Sequence, residues 1–234
     1  MYSYDNARPL VKIDNVVFGF DGVGLNVLLL QSINQDTKSA WSLPEGILDL
    51  NESIDDNAIR ILREQTAIED AYIEQFGVTE SSALAGGDDH VLSIGFFVLV
   101  QRNELRTLTS GEGRRIAWFP LEEIPENITA GHADLIESAR QMLRDRSHIE
   151  PIVFDMLDYK FSISELQRLI EVINGADYDR RNFYRKVIAT GLLQQEGMAH
   201  IRAAHRPPQL FSFRRDLYDQ MLEREPAMEF PFLF

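Results

Sequence analysis

The chain has no cysteine, no long apolar run and few basic residues for its length. Without cysteine it cannot form disulfides, thiolate zinc sites or a cysteine nucleophile. The longest apolar stretch, 91–100, is broken by Ser93 and Gly95 and predicts a buried strand. The first nine residues lack the basic start and apolar stretch of a secretion signal. We therefore expect a globular protein that does not enter a membrane, with the cytoplasm as its location.

The shortage of basic residues is uneven along the chain. The formal net charge is −14, which argues against nucleic acid as a partner for the chain as a whole. Residues 1–150 contain 12 Lys+Arg and 25 Asp+Glu, whereas residues 151–234 contain 11 and 12. Within 180–215 there are eight basic residues and a single acid, Glu196, a local charge of +7. A run of charge is usually a solvated face, so its place in the fold must decide its role.

The first 150 residues alternate strand and helix patterns. Two β-rich runs flank the turn 21–24 and predict a hairpin. The predicted strands lie at 11–20, 26–31, 72–78, 91–100 and 116–119, and the predicted helices at 53–65 and 133–145. Strands interleaved with two helices favour a mixed sheet sandwiched between helices.

A different pattern begins after residue 150, where we place a domain boundary. Ser162 and Glu165 form a capping box for a helix that ends at 174–175. A second helix is predicted over 179–189, and β-like runs follow at 192–195 and 209–213. Helix, tight turn, helix, hairpin is the order of a winged helix-turn-helix. The predicted class is therefore α+β, with one domain over 1–150 and a second over 151–234.

Residues 46–68 carry a motif of fixed spacing. The segment resembles the Nudix signature, which reads G, five residues, E, seven residues, then R-E-U-x-E-E-x-G-U, where U is a bulky aliphatic residue. The matching positions are Gly46, Glu52, Arg60, Leu62, Glu64 and Ile68. The preceding residues 41–44, WSLP, are also similar to that family. The resemblance implies an α/β/α Nudix sandwich for the first domain.

The departures from the signature concern metal ligands. The family's three helical acids fall at i, i+3 and i+4 on one helix face, where carboxylates bind magnesium ions that bridge a diphosphate. Here those positions hold Ile61, Glu64 and Gln65. Such hydrolases rely on metal to neutralise phosphate and activate water. We therefore expect no efficient hydrolysis, no bound metal and no cofactor.

Two further departures lie beside the helix. Glu45 replaces the glycine expected before Gly46, and Ala67 replaces the last glycine of the motif. An alternative metal site made of Glu45, Glu52 and Glu64 stays open at this stage. If that metal site forms, the protein would have the alternative function of an active Nudix hydrolase of a nucleoside diphosphate derivative.

The candidate effector-binding residues surround the altered motif. Arg60 is expected to pair with Glu52 or Glu64, and Trp41 to line a pocket or fill the core. His132 precedes a predicted helix, which it would cap, and it also stands at a histidine position of the regulator family named below. The complete candidate set is Trp41, Glu45, Glu52, Arg60, Glu64, Asp89, His90 and His132.

The helix over 179–189 has the pattern of a recognition helix. Phe183, Val187 and Ile188 are expected to face inward, which leaves Arg, Asn and Lys side chains to reach base edges and phosphates. A loop rich in Arg, His and Pro over 202–208 would form the wing. The candidate DNA-binding residues are Arg180, Arg181, Asn182, Tyr184, Arg185, Lys186, Arg202, His205 and Arg206.

The combination of both halves resembles the Nudix-related transcriptional regulators, a bacterial family that includes regulators of NAD metabolism and of sugar use. The segment GHADLIESAR at 131–140 and the helix DRRNFYRKV carry the resemblance beyond the motif. It implies a homodimer, palindromic double-stranded operator DNA, and a sugar or ADP-ribose-like effector in the former Nudix pocket. The wing lacks the glycine-rich form common in that family. A winged helix that binds protein instead of DNA is the remaining alternative.

Overall fold

Two groups of secondary-structure elements follow one another in the structure, a computed structural model that describes residues 9–32, 40–81, 91–101, 114–198 and 207–224. The strands of the first group are β1 Leu10–Phe20, β2 Leu25–Ser32, β3 Trp41–Ser42, β4 Glu45–Ile47, β5 Tyr72–Ser81, β6 Val91–Val100 and β7 Arg114–Pro120. Its helices are α1 Ile54–Thr66 and α2 His132–Ser147. Within the described ranges, no helix has both the length and the apolar character needed to cross a membrane.

The strands of the first group form one mixed sheet. Its main order is β3-β2-β1-β6-β5, with β4 paired to β1 and β7 paired to β2. The central strands β1 and β6 run parallel, from the pair Leu10 and Val91 to the pair Gly19 and Val100. β1 and β2 are antiparallel neighbours, which confirms the predicted hairpin. The mixed sheet is confirmed as well.

The two helices cover opposite faces of this sheet. Successive side chains of a strand point to opposite sides, and β1 uses both. Val16 and Phe18 belong to the apolar cluster that contains the buried side of α2. Val17, between them, packs in a separate cluster with Leu62 of α1. The sandwich expected from the strand and helix order is therefore confirmed.

Local sequence explains where the helices begin. The Ser53 hydroxyl accepts the Asp56 N–H at the start of α1. Ser162 and Glu165 form the predicted capping box of α3, in which each side chain bonds the backbone of the other residue. The Asp179 side chain accepts the Asn182 N–H at the start of α4. Each cap satisfies an N–H group that has no intrahelical acceptor.

The second group follows a short 3₁₀ helix, Ile152–Met156. It consists of β8 Phe161–Ser162, α3 Ile163–Asn174, α4 Arg180–Ala189, β9 Leu193–Met198, β10 Gln209–Phe213 and α5 Arg215–Arg224. The three strands pair in the order β8-β10-β9. The predicted helix-turn-helix and the hairpin after it are confirmed, while β8 and α5 were not predicted.

A continuous apolar cluster joins the two groups. Phe20 of the sheet, Leu143 of α2, Met156 of the 3₁₀ helix and Leu166 of α3 are all buried in it. Arg168 of α3 also donates from Nε to the Val23 carbonyl, 2.8 Å away in the β1–β2 turn. The second group is therefore docked on the first, although the domain boundary near residue 150 stays a prediction.

Candidate effector pocket and nucleic-acid interface

The face of α1 that carries the motif is partly apolar. Ile61 is only 2% exposed and packs with Ile13, Ala58 and Phe96. A Cβ placed on Gly46 would lie 2.8 Å from the Ile61 Cδ1 atom. The Ile61 side chain therefore fills the space between α1 and β4. An apolar core residue stands where the family has a metal-binding acid.

Gln65 binds the loop before the helix through its amide. Its Nε2 donates to the Glu45 carbonyl at 2.7 Å, and its Oε1 accepts the Glu45 N–H at 3.2 Å. An amide offers both a donor and an acceptor, so it can pair with a peptide group in this way, which a carboxylate cannot. The carbonyl of residue 45 is thus engaged by protein. This Glu45–Gln65 clasp holds the loop against α1 without an ion.

Arg60 forms ion pairs with the two acids that the motif retains, Glu52 and Glu64. Its Nε lies 2.8 Å from Glu52 and its Nη1 3.4 Å from Glu64, while its Nη2 donates to Asn57 at 2.9 Å. The pairing predicted for Arg60 is confirmed. The alternative metal site of Glu45, Glu52 and Glu64 is wrong, because two of its acids bind the same guanidinium and Glu45 belongs to a different cluster.

That cluster combines Lys12, Asp14, Glu45 and His132. The Lys12 ammonium lies 3.1 Å from Asp14 and 2.8 Å from Glu45. His132 is 1% exposed, and its Nδ1 accepts the Leu43 N–H at 3.0 Å. This leaves the ring proton on Nε2, which faces Asp14 at 3.4 Å and Glu45 at 3.5 Å. The sequence argument that His132 caps α2 is wrong, since Gly131 is the N-cap residue and makes no side-chain cap.

The charges in this cluster support one another. Burial alone would raise the carboxyl pKa of Asp14, but the hydrogen bond from His132 and the charge of Lys12 outweigh it and lower that pKa. The pKa of Glu45 is lowered against burial for the same two reasons. Burial likewise opposes the charge of Lys12, yet the two carboxylates raise its pKa. Both acids and the ammonium are therefore charged at neutral pH.

Among the described residues, Asp14, Glu45 and His132 are the group whose ligand atoms lie close enough together, within 4.8 Å, to suit a metal ion. Lys12 contacts both carboxylates of this group. A buried carboxylate such as that of Asp14 needs a compensating positive charge. Here the Lys12 ammonium supplies that charge, so the four residues form an ion-pair cluster that needs no metal ion to balance its carboxylates.

A cavity of about 410 Å³ opens beside this cluster. Its walls are the first two turns of α2 and the neighbouring ends of β1, β5 and β6. Hydroxyl, carboxylate and ammonium groups alternate with small apolar surfaces along it. The residues that line it are Lys12, Thr79, Glu80, Ser93, Ala130, Gly131, His132, Asp134, Leu135 and Ser138. Of the candidate effector-binding residues that the structure describes, only His132 lies on this wall.

The other candidates lie elsewhere. Trp41 is 8% exposed and packs edge-on against Phe119, with ring centroids 4.8 Å apart, so it fills the core. Glu52, Arg60 and Glu64 form the ion pairs described on α1. Asp89 and His90 lie outside the described residues. Apart from His132, the sequence missed the cavity wall because its residues come from four separated segments, and only the segment at 131–140 resembles a known motif.

The exposed face of α4 carries the predicted cations. Phe183 and Val187 are buried and dock the helix, whereas Ile188 is 38% exposed and does not belong to the inward stripe as expected. Arg185 donates to the Asn182 side chain at 2.9 Å, which orders two polar groups on the outer face. The exposed residues are Arg180, Arg181, Asn182, Tyr184, Arg185 and Lys186. Arg202, His205 and Arg206 of the predicted wing lie outside the described residues.

A groove of about 500 Å³ lies between the starts of α3 and α4 and the beginning of β10. Arg180 and Arg181 line it, and Arg180 is 3.5 Å from the Ser164 hydroxyl. Ser164, Gln167 and Gln209 extend the polar surface beyond α4. The sequence predicted DNA contacts from α4 and the wing, and it assigned none to the helix that precedes α4.

Comparisons with known proteins agree with both halves of this description. A NUDIX domain model matches residues 9–139, and a model of the NrtR DNA-binding winged helix domain matches residues 153–213. The chain is 28% identical over 232 residues to the ADPR responsive transcriptional repressor NtrR of Acinetobacter baylyi, a match that covers 97% of this chain and 90% of that protein.

Solved structures are similar over most of the chain. Shewanella oneidensis NrtR complexed with a 27mer DNA superposes with a TM-score of 0.74 at 26% identity, covering 89% of this chain and 95% of that one. A MutT/nudix family protein from Enterococcus faecalis reaches 0.67 at 21% identity over 88% of both chains, a similarity of fold. The chain therefore belongs to the Nudix family and joins a Nudix domain to an NrtR DNA-binding winged helix domain, as the Nudix-related transcriptional regulators do.

Proposed function

We propose that this chain is a transcriptional regulator that binds operator DNA through its winged helix and senses a sugar or an ADP-ribose-like molecule in its Nudix domain. The exposed, basic face of α4 carries the proposal, because it follows a helix and a turn in the order that DNA-binding proteins use. The relative from Acinetobacter baylyi is a repressor responsive to ADPR, and the relative from Shewanella oneidensis was solved with DNA. Both support the assignment.

The DNA contact rests on local charge. Residues 180–215 carry a net charge of +7 within a chain of −14. Arg and Lys on α4 neutralise phosphates and so supply affinity, while Arg181, Asn182 and Arg185 stand where side chains can read base edges. The acidic Nudix domain repels DNA, so only the basic side of the winged helix can approach it. A homodimer in the cytoplasm would place two such helices on half-sites about one helical turn apart.

The effector site is assigned to the cavity beside α2. Its volume of about 410 Å³ suits a ligand of nucleotide size or part of one. Ser93, Thr79 and Ser138 offer hydroxyls, and Glu80 and Asp134 offer carboxylates, which accept hydrogen bonds from the hydroxyls of a sugar. The ammonium of Lys12 is already shared between Asp14 and Glu45. This set favours the ribose part of an effector over a free diphosphate.

Hydrolysis is not part of the proposed function. The residues present do not fit the magnesium site of the family, because Ile61 is buried in the core and the Glu45 carbonyl is engaged by Gln65. Glu64, the one helical acid that the motif retains, is paired with Arg60. Magnesium is bound through carboxylates and water in near-octahedral geometry, and this face offers it no such set.

Incubation with ADP-ribose and Mg²⁺ is expected to yield no more AMP and ribose 5-phosphate than the same mixture without protein. Product is measured by liquid chromatography, and the Glu64→Gln variant is assayed beside the wild type. Turnover that needs Mg²⁺ and disappears in Glu64→Gln would establish the hydrolase and contradict this proposal. Equal background in both proteins is the result expected from the geometry of α1.

The effector assignment is tested by thermal unfolding. A ligand that binds only the native state at 100 times its Kd stabilises by about 2.7 kcal/mol, which corresponds to a rise in Tm of roughly 5–10 °C in a chain of this size. We expect such a rise with ADP-ribose. Ribose, arabinose and NAD are measured in parallel to identify the part of the molecule that is recognised. No rise with any of them would contradict an effector of this class.

A pair of variants on one helix localises the site. Ser138→Phe places a bulky ring in the cavity and is expected to remove the rise in Tm with ADP-ribose. Glu137→Phe adds the same ring at the neighbouring exposed position, which does not line the cavity, and is expected to preserve the rise. Loss of the rise in both variants, or in neither, would place the effector elsewhere.

A further inference from the structure

Helix α2 lines the effector cavity at its start and contacts α3 of the winged helix domain near its end. Its first two turns form one wall of the cavity through His132, Asp134, Leu135 and Ser138. Its 16 residues extend about 24 Å at 1.5 Å per residue. The inner face of α2 is buried in the sandwich core through Ile136 and Ala139. Because that core is closely packed, we expect the helix to move as a rigid unit. A ligand against its first turns therefore acts on its last turns as well.

The C-terminal end of α2 is hydrogen-bonded to the C-terminal end of α3. Arg144 donates from Nε to the Ile173 carbonyl at 3.0 Å. Its Nη2 lies 3.6 Å from the position that a Cβ on Gly175 would take, directly at the C-cap of α3. The last carbonyls of a helix have no intrahelical donor and carry partial negative charge. The guanidinium is therefore well suited to hold α3 at this point.

The turn from α3 to α4 is stiffened by its own hydrogen bonds. Gln167 donates to the Tyr178 carbonyl at 2.8 Å, and the Tyr178 N–H donates to Glu171 at 3.1 Å. Asn174 donates to the Tyr178 hydroxyl at 2.9 Å. These bonds connect the last two turns of α3 to the residue just before the cap of α4. A displacement of the end of α3 is therefore carried into α4 instead of being absorbed in the turn.

We propose that α2 is the element that couples the effector cavity to the DNA-binding helix, and that Arg144 is the positioning residue at which the coupling passes between domains. The inference rests on the proposed function and specifies its regulation. Effector binding shifts α2, Arg144 moves the end of α3 with it, and α4 changes its orientation toward DNA. Coupling of this kind is a difference in affinity between two states, and it typically amounts to 5–150-fold.

The protein offers a matched control for this contact. Arg168 of α3 also donates from Nε to a carbonyl of the first group of elements, the Val23 carbonyl at 2.8 Å. Val23 lies in the β1–β2 turn and not on α2. Arg144→Ala and Arg168→Ala therefore each remove one arginine–carbonyl hydrogen bond between the domains. Only the first removes a hydrogen bond between α2 and α3.

The experiment measures DNA affinity with and without ADP-ribose in the full-length protein. The probe is a labelled duplex that the wild-type protein has selected from a random-sequence pool, and the readout is fluorescence anisotropy. We expect ADP-ribose to change the wild-type Kd for DNA by at least 5-fold, and Arg144→Ala to reduce that change to less than 2-fold. Each separate affinity of Arg144→Ala is expected to stay within about 3-fold of wild type, and Arg168→Ala is expected to respond like wild type.

Hydrogen–deuterium exchange provides a second readout that does not depend on the DNA probe. ADP-ribose is expected to alter exchange in 131–138 in both wild type and Arg144→Ala, but in 171–189 only in wild type. Should Arg144→Ala fail to fold, Arg144→Lys takes its place, because lysine keeps the cation and loses the Nε contact; its response to ADP-ribose is expected to be smaller than that of wild type.

An unchanged response in the Arg144 variant, or an equal loss in Arg168→Ala, would overturn the role of α2. A wild-type protein whose DNA affinity ADP-ribose does not change would instead contradict the proposed function, and the inference with it.

Discussion

Reversing the charges of Arg181 and Arg185 together is expected to abolish DNA binding while the response to ADP-ribose in thermal unfolding is preserved. Both side chains are exposed on α4, and Arg185 is oriented by its hydrogen bond to Asn182. A single arginine contact to a base is worth about 1–3 kcal/mol, and each reversed charge adds repulsion from the phosphates. We therefore expect Arg181→Glu with Arg185→Glu to weaken binding by roughly a factor of 1,000 or more, measured by fluorescence anisotropy.

The control for this variant carries the same change in net charge. Arg63 on α1 and Arg114 on β7 are exposed residues of the Nudix domain, and their double reversal to Glu is expected to weaken DNA binding by less than about 10-fold through long-range repulsion. The dependence of log Kd on log salt should become shallower in the α4 variant alone, because fewer counterions are released. Equal losses in the two variants would show that net charge, and not the face of α4, determines DNA affinity.

Replacing Lys12 by Met is expected to cause a large loss of stability. The Lys12 side chain is 15% exposed, and its ammonium lies between Asp14, which is fully buried, and Glu45. Removing one partner of a buried ion pair leaves the other charges uncompensated, which costs about 3–5 kcal/mol. We expect a loss of this size in the free energy of unfolding at pH 7, measured by urea denaturation.

The loss in Lys12→Met is also expected to depend on pH. In wild type the carboxyl pKa values of Asp14 and Glu45 lie below their unfolded values, so these groups stabilise the fold above about pH 4.5 and cease to do so as the pH falls through the folded values. Without the ammonium, both pKa values rise because the hydrogen bonds and charge of Lys12 no longer lower them, and protonation then costs the folded state less. The difference between variant and wild type should therefore shrink between pH 7 and pH 4.

Lys160→Met is the control, since Lys160 is 48% exposed and its ammonium, 3.0 Å from Glu196, is solvated although the Glu196 side chain is only 15% exposed. A pair with a solvated ammonium contributes at most about 1 kcal/mol. Its loss should therefore stay small over the same pH range. A loss in Lys12→Met no greater than that in Lys160→Met would mean that the cluster does not hold the β1 and β4 region together.

Most of the fold was accessible from sequence because its elements have strong local signals. Ser53, Ser162 and Asp179 mark the starts of α1, α3 and α4, and the structure places a cap at each of them. The two shortest strands of the first group, β3 and β4, have two and three residues. Strands of that length have no periodicity to detect, so only their pairing with β2 and β1 makes them visible.

Helix α5 was missed for a different reason. Leu217, Tyr218, Met221 and Leu222 pack against the apolar core at helical spacing, so the signal was present. It follows β10 after the single residue Arg214, which is not one of the residue types that mark a helix start. The apolar positions of the strand therefore run directly into those of the helix, and the change of period has no boundary signal.

The candidate site was less accessible than the fold. The motif identified α1 and the loss of its acids, but the cluster of Lys12, Asp14, Glu45 and His132 joins residues more than 100 positions apart. The antiparallel pairing of β1 with β4 places Asp14 opposite Glu45, and the packing of α2 against the sheet brings His132 to them. Arg60 was predicted correctly because its partners lie within one loop and one helix, where spacing alone determines distance.

The Glu45–Gln65 clasp has a consequence for how a cell could use this protein. A loop held in place by magnesium ions would change its shape with the free magnesium concentration, and a sensor built on it would respond to two quantities at once. Here an amide pair and the buried Ile61 hold the same loop. We therefore expect that changes in the free magnesium concentration, and added chelators, alter neither the stability of the protein nor its response to a metabolite.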